Sequence, residues 1–114
     1  MEMARELLGY LREHRRTMVE LLRRLALVES PSARPEGQRE VMDILSETLG
    51  GLDYAVRRLS GRRSGGHLYA RPRRRSGAGQ AVQLLVGHCD TVWPLGTLEQ
   101  MPVEEANSSS VPRS

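Results

Sequence analysis

The sequence from Val82 to Gly96 reads VQLLVGHCDTVWPLG, an apolar run that passes directly into polar and turn-forming residues. The run at 82–86 is short, nearly continuous in Val and Leu, and bounded by turn residues. This pattern is typical of a strand that is buried on both faces in a parallel sheet. A strand of this kind indicates a layered α/β domain.

Two helical patterns precede the predicted strand. Apolar residues at three- and four-residue steps predict one amphipathic helix over roughly residues 3–28. Its apolar stripe consists of Leu7, Leu8, Leu11, Met18, Leu21, Leu22 and Leu25. Ser30-Pro31 ends this helix, because proline cannot extend the hydrogen-bond ladder. A second helix begins near Pro35, and Gly50-Gly51 ends it by offering unhindered left-handed backbone.

Two strand-like segments follow the second helix. Leu52, Tyr54 and Val56 alternate with polar or small residues, and His67-Leu68-Tyr69-Ala70 follows a turn region. Residues 71–80 are predicted to form an exposed loop. The order of elements predicts an α/β fold in which two amphipathic helices are followed by strands of a mixed, partly parallel sheet.

Length and composition limit the organisation to one small domain. The chain has 114 residues, a net charge of +3 and a charged fraction of 27%, which are values typical of globular proteins rather than membrane-spanning ones. We expect residues 1–103 to form the domain and residues 104–114, which lack periodicity, to be a disordered tail. A single cysteine and no apolar leader segment predict a cytoplasmic protein without a membrane partner.

The residues after the predicted strand carry the candidate chemistry. His88 and Asp90 are two apart, so they point to the same side of an extended backbone while Cys89 points away. An imidazole whose one nitrogen donates to a carboxylate can bind a metal ion through the other nitrogen. For a bare His-x-Asp motif there is an alternative to metal binding. The histidine then lies at a strand end and bonds to the aspartate for purely local reasons.

The longer motif Gly87-His88-Cys89-Asp90-Thr91-Val92-Trp93-Pro94-Leu95-Gly96 resembles the first metal-site motif of the dinuclear zinc carboxypeptidase and aminoacylase family, in its glutamate carboxypeptidase-like branch. The bend at 28–32, VESPS, and the helices around it also follow the opening of that family. The resemblance implies a metallopeptidase catalytic domain with two zinc ions. It implies that His88 is a zinc ligand, that Asp90 is the catalytic carboxylate orienting it, and that the substrate is a small peptide or N-acyl amino acid.

The sequence departs from this family after residue 103. The further ligands and the general base of the family have no counterpart in residues 91–114, and a catalytic zinc needs about three protein ligands. His14 and His67 lack ligand partners at metal spacing. We therefore expect the chain to be the amino-terminal fragment of a truncated metallopeptidase catalytic domain and to be an inactive hydrolase by itself.

Two alternative functions follow from other features. No acid occurs between Asp53 and Asp90, where eight arginines accumulate, so an Arg-rich nucleic-acid-binding module is one alternative. Stacking aromatics are scarce there, Tyr69 excepted, so we expect no specific nucleic-acid partner. The other alternative is a non-catalytic fragment that associates with a full-length relative. The sequence makes no prediction of the oligomeric state.

Overall fold

The computed structural model of the protein describes residues 1–74 and 77–106. From residue 107 onward the predicted disordered tail lies outside the described residues, as do two residues of the predicted loop at 71–80. In chain order the elements are helices α1 (Glu2–Glu13), α2 (Arg15–Ala26) and α3 (Pro35–Gly51), strands β1 (Tyr54–Leu59) and β2 (His67–Pro72), and the short helix α4 (Thr97–Gln100). The predicted α/β class is confirmed.

The predicted first helix is divided into α1 and α2 at His14. The backbone there has φ −97° and ψ 7°, outside the helical region. The carbonyl oxygen of Tyr10 accepts two hydrogen bonds, from the His14 amide at 3.0 Å and from its ring Nδ1 at 2.9 Å. The two rings also stack with their centroids 4.1 Å apart. A side chain that shares the backbone acceptor explains the local departure from helical ψ.

The apolar stripe of the predicted first helix is present on α1 and α2, but no other element of the described structure buries it. Neither α1 nor α2 contains a buried residue. Its most exposed members, Leu7 and Leu22, have 57% and 67% of their surface accessible. In the described ranges, no helix is both long enough and apolar enough to cross a membrane.

Helix α3 matches its prediction at both ends and provides the apolar core. Pro35 occupies the first turn, where a missing amide proton leaves no bond unmade, and the helix ends at Gly51. The left-handed backbone expected at Gly50-Gly51 lies instead at Asp53, which has φ 62°. Val41 and Met42 are 6% and 5% exposed and are the buried apolar residues of the described chain. This helix packs against both strands of the sheet.

Strands β1 and β2 form a two-stranded antiparallel sheet, in which Tyr54 pairs with Pro72 and Leu59 with His67. The connection between the strands needs glycine at Gly66, which has φ 98°. A Cβ atom at that position would overlap the Leu59 carbonyl oxygen. Both strands lie where the sequence analysis predicts strand-like segments.

The mixed, partly parallel sheet is not confirmed, and the prediction of a buried strand over 82–86 is wrong for the described structure. These residues form no strand, and Val82, Leu84, Leu85 and Val86 are 80–94% exposed. A parallel strand requires hydrogen-bonding neighbours and layers that cover both of its faces. In the described residues the ladder bonds of β1 and β2 are made with each other, and no layer covers the apolar run.

We expect Gly37→Ala to destabilise the protein by about 1–3 kcal/mol, the usual effect of overpacking. A Cβ atom on this buried residue of α3 would overlap the carbonyl oxygen of Glu29 and lie 3.0 Å from the Cα of Ser30. Urea unfolding followed by far-UV circular dichroism measures the change.

The matched control is Gly50→Ala in the same helix, where a Cβ atom meets nothing within 4 Å. We expect this control to be neutral or to stabilise by up to about 1 kcal/mol, because alanine restricts the unfolded chain more than glycine does. Equal stability of Gly37→Ala and the wild type would contradict the close contact of α3 with residues 29 and 30.

Candidate functional site

Residues 29–32 of the bend contact residues 87–98, here called the motif loop. The two segments form an isolated parallel β-bridge between Pro31 and Thr91. The Thr91 amide donates to the Ser30 carbonyl at 2.8 Å, and the Ser32 amide donates to the Thr91 carbonyl at 3.1 Å. On the bend side these two bonds use the carbonyl of Ser30 and the amide of Ser32, and neither uses the nitrogen of Pro31. A residue without an amide proton therefore fits at the bridge position.

Ser30 and Gln38 fix the bend from inside the protein. The Ser30 hydroxyl, in a residue only 2% exposed, donates to the Cys89 carbonyl at 2.7 Å. The Gln38 side-chain amide donates to the carbonyls of Pro31 and Ser32, both at 3.1 Å, and its oxygen accepts from the Gly65 amide at 2.8 Å. The bend, helix α3 and the β1–β2 connection are therefore joined through one buried side chain.

Glu29 holds the distal end of the motif loop. Its carboxylate accepts from the Leu98 amide at 2.9 Å and from the Gly96 amide at 3.0 Å. Gly96 has φ 88° and precedes the first residue of α4. The hydrogen bond from the Leu98 amide, followed by that from Gly96, holds the pKa of Glu29 below its ordinary value. The carboxylate therefore binds these amides in its ionised form.

His88 and Asp90 face each other, as the spacing predicts. His88 Nδ1 lies 3.1 Å from Asp90 Oδ1 and 3.1 Å from the Asp90 backbone carbonyl oxygen. The other carboxylate oxygen, Oδ2, accepts from the Ser32 hydroxyl at 2.6 Å. The hydrogen bond from Ser32, and to a lesser extent that from His88, lowers the pKa of Asp90. The carboxylate therefore stays charged at neutral pH and favours the protonated Nδ1.

The sequence analysis expects His88 and Asp90 directly after a buried strand, whereas the structure places them on the docked motif loop, after a segment that forms no strand. The His88 side chain is 85% exposed and that of Asp90 is 42% exposed. The pair is thus open to solvent, and its orientation comes from the bend and not from strand pairing.

Of the two residues that the motif singles out, His88 is the one whose geometry suits metal ligation. With Nδ1 bonded to Asp90, the free Nε2 is the nitrogen that could bind a metal ion. No group of three or more His, Cys, Asp or Glu side chains that could hold a metal occurs within residues 1–74 and 77–106. His14 bonds to Tyr10, and His67 begins β2. The motif loop therefore offers one metal ligand, His88, and the carboxylate that orients it, Asp90.

Cys89 does not have the properties of a nucleophile. Burial, and secondarily the charge of Asp90, raises the pKa of its thiol. A reactive cysteine needs the opposite shift, because the thiolate is the attacking form. Cys89 is therefore better described as a small, partly buried packing residue.

The arginine-rich surface is partly neutralised by nearby acids. Arg58 forms an ion pair with Asp43 at 2.6 Å, and Arg73 pairs with Asp53 at 3.6 Å. Both arginines belong to the group that suggests nucleic-acid binding. Fewer free guanidinium groups remain for phosphates than the sequence alone indicates.

No family model, curated protein or solved structure matches the chain. The chemistry of the site is therefore argued from its own contacts. Among these, the bend residues Glu29 and Ser32 and the helix residue Gln38 have roles that the sequence analysis does not assign. A polar side chain close to a helix-breaking proline is the one sequence signal that could have pointed to them.

We expect Glu29→Gln to release the distal end of the motif loop. A carboxamide presents one acceptor oxygen in place of two, so one of the amides of Gly96 and Leu98 loses its partner. Amide hydrogen exchange at these two residues should accelerate by about fivefold, the equivalent of about 1 kcal/mol for one hydrogen bond. Glu40→Gln, at an exposed position on α3, is the control, and equal exchange in both variants would refute the role of Glu29.

We expect docking of the motif loop to weaken only in acid. The pKa values of Glu29 and Asp90 are both lowered by their hydrogen bonds, so the unfolded state binds protons more readily than the folded state. Their contribution to stability is complete above the ordinary carboxyl pKa of about 4 and is lost as the pH falls through the lowered values.

The single tryptophan, Trp93, reports this change because it lies in the motif loop. Its fluorescence should stay constant between about pH 8 and pH 5.5 and should change below about pH 4. Loss of docking on the alkaline side of pH 5.5 would contradict the carboxylate assignment.

Proposed function

We propose that His88 and Asp90 belong to a zinc-dependent hydrolase that cleaves peptide or amide bonds in small peptides or N-acyl amino acids, of the carboxypeptidase or aminoacylase type. One observation carries this proposal: His88 Nδ1 lies 3.1 Å from Asp90 Oδ1 while the imidazole side chain is 85% exposed. A histidine bonded in this way presents Nε2 outward as a metal ligand. The motif at 87–96 supports the choice of reaction.

In this proposal the residues of the chain have separate tasks. His88 supplies one ligand nitrogen. Asp90, ionised because its pKa is lowered, accepts a hydrogen bond from Nδ1–H and fixes the ring. The bend holds the loop that carries both residues. Zinc bound there would polarise the substrate carbonyl and lower the pKa of a coordinated water towards about 7.

The described residues supply only part of such a site. A catalytic zinc takes about three protein ligands, and the geometry supports one here. We therefore propose that this chain corresponds to the amino-terminal part of the catalytic domain, that the complete enzyme uses two zinc ions, and that this chain alone does not hydrolyse peptides.

The proposal extends to the segment before the site. We propose that residues 82–86 form a strand of a mixed, partly parallel sheet in the complete domain. Two observations support it: the run is apolar yet 80–94% exposed at Val82, Leu84, Leu85 and Val86, and the bridge that follows it, Pro31 to Thr91, is parallel. Burial of this run would remove a large exposed apolar surface from water.

The experiment is a zinc titration of the full chain, followed by calorimetry and by NMR of the histidine rings. We expect weak binding without saturation at stoichiometric zinc, because a single ligand cannot replace about three. The perturbation should centre on His88 Nε2 and should disappear in His88→Ala. His67→Ala is the matched control, since this histidine is also exposed but starts a strand, and it should leave the His88 signal intact.

Three results would contradict the proposal. Zinc binding that survives His88→Ala unchanged would remove its metal ligand. A tight stoichiometric site, or hydrolysis of a dipeptide by this chain with zinc, would refute the inactive amino-terminal part. Perturbation of the His88 ring at Nδ1 in place of Nε2 would refute the orienting role of Asp90.

A further inference from the structure

Ser32 has one proton to donate and two acceptors in reach. Its hydroxyl oxygen lies 2.6 Å from Asp90 Oδ2 and 3.3 Å from the Thr91 carbonyl oxygen. The contact with Asp90 lies within the usual range of about 2.5–3.0 Å for a hydroxyl donor, and the contact with Thr91 is longer than that range. Hydrogen bonds to ionised acceptors are shorter and about twice as strong as neutral ones, so the proton goes to Asp90.

A carboxylate with a single hydrogen-bond partner is free to rotate. Rotation about the bond that carries an aspartate carboxylate is broad and roughly two-fold, so a single contact with His88 would fix it poorly. In the structure Oδ2 is bonded to Ser32, and this leaves Oδ1 facing His88 Nδ1 at 3.1 Å. Because the two carboxylate oxygens are equivalent, what the serine fixes is the rotation of the carboxylate plane, with one oxygen directed at the imidazole.

The backbone of Ser32 is itself held by two hydrogen bonds, one at its amide and one at its carbonyl. Its amide donates to the Thr91 carbonyl at 3.1 Å, and its carbonyl accepts from the buried Gln38 side chain at 3.1 Å. The hydroxyl therefore projects from a fixed piece of chain 58 residues before Asp90 in the sequence. Asp90 takes its orientation from the bend as well as from its own loop.

We propose that Ser32 is a positioning residue for His88: its hydroxyl fixes the Asp90 carboxylate, which in turn holds the imidazole with the proton on Nδ1 and leaves Nε2 free. The use of Nε2 as a metal ligand rests on the proposed function, whereas the positioning contact does not. Ser32 touches neither a metal ion nor a substrate in this scheme.

The experiment measures the tautomer of His88 in the full chain without metal. Ring nitrogen chemical shifts of ¹⁵N-labelled protein are recorded at about pH 8.5, two units above the ordinary imidazole pKa, where the two neutral tautomers have different spectra. We expect the Nδ1–H form to predominate in the wild type. Ser32→Ala should lower the ratio of Nδ1–H to Nε2–H by about threefold, the scale of one solvent-exposed hydrogen bond.

Two variants separate positioning from simple docking. Ser32→Thr keeps the hydroxyl and should restore the wild-type ratio, since Ser32 is exposed and leaves room for a methyl group. Ser30→Ala removes a hydroxyl from the same bend that bonds to the Cys89 carbonyl and not to Asp90. It should leave the ratio closer to wild type than Ser32→Ala does, whatever its effect on stability.

An unchanged ratio in Ser32→Ala, an equal change in Ser30→Ala, or no rescue by Ser32→Thr would each overturn the proposal. If Ser32→Ala does not fold, Ser32→Thr and Ser32→Val provide a pair of nearly equal shape that differs in the hydroxyl, and the same threefold difference is expected.

A final experiment adds zinc chloride to the wild type and to Ser32→Ala and records the chemical shifts of the His88 ring nitrogens. A tautomer that depends on Ser32 together with no zinc effect would leave the positioning role in place and refute the proposed function. A zinc effect at His88 with a tautomer independent of Ser32 would refute the positioning role alone.

Discussion

The docking of the motif loop on the bend is the interaction on which the candidate site depends. It joins two segments that are distant in sequence, through a parallel bridge between Pro31 and Thr91 and through side-chain contacts from Ser30 and Ser32. Almost all of these contacts are hydrogen bonds. The described chain has only a small apolar core, around Val41 and Met42 on α3. The orientation of the site therefore comes from directional polar contacts, which specify one geometry more sharply than apolar contact does.

Directional contacts are needed here because the histidine and its acid are exposed. An exposed pair of charged or polar side chains contributes little by itself, since water competes for both partners. The His88–Asp90 pair gains order from a second donor, Ser32, whose backbone is held by the buried Gln38. Glu29 fixes the other end of the same loop through two amides. An imidazole at the surface can thus keep one orientation without being buried.

Local features of the fold could be predicted from the sequence, whereas long-range ones could not. Pro35 and Gly50-Gly51 mark the ends of α3, the proline because its missing amide proton suits a first turn and the glycines because they are poor helix formers. The facing of His88 and Asp90 follows from their spacing of two. The division at His14 depends on one ring that shares a carbonyl, which apolar periodicity does not register. The roles of Glu29 and Ser32 arise from partners distant in sequence, and their position beside a helix-breaking proline is the one local signal of them.

The apolar run at 82–86 shows why periodicity identifies a face but not its partner. Its composition suits a strand buried on both sides, yet in the described structure Leu85 is 94% exposed. His88 follows two residues after this run, so the described contacts hold the histidine from the downstream side through Asp90 and Thr91. A metal ligand needs support on both sides to keep its nitrogen within a few tenths of an ångström of its place. Pairing of 82–86 with neighbouring strands would supply the upstream support, and the same event would bury the apolar run. In the proposed function, covering the exposed apolar run would therefore also make the exposed imidazole more rigid.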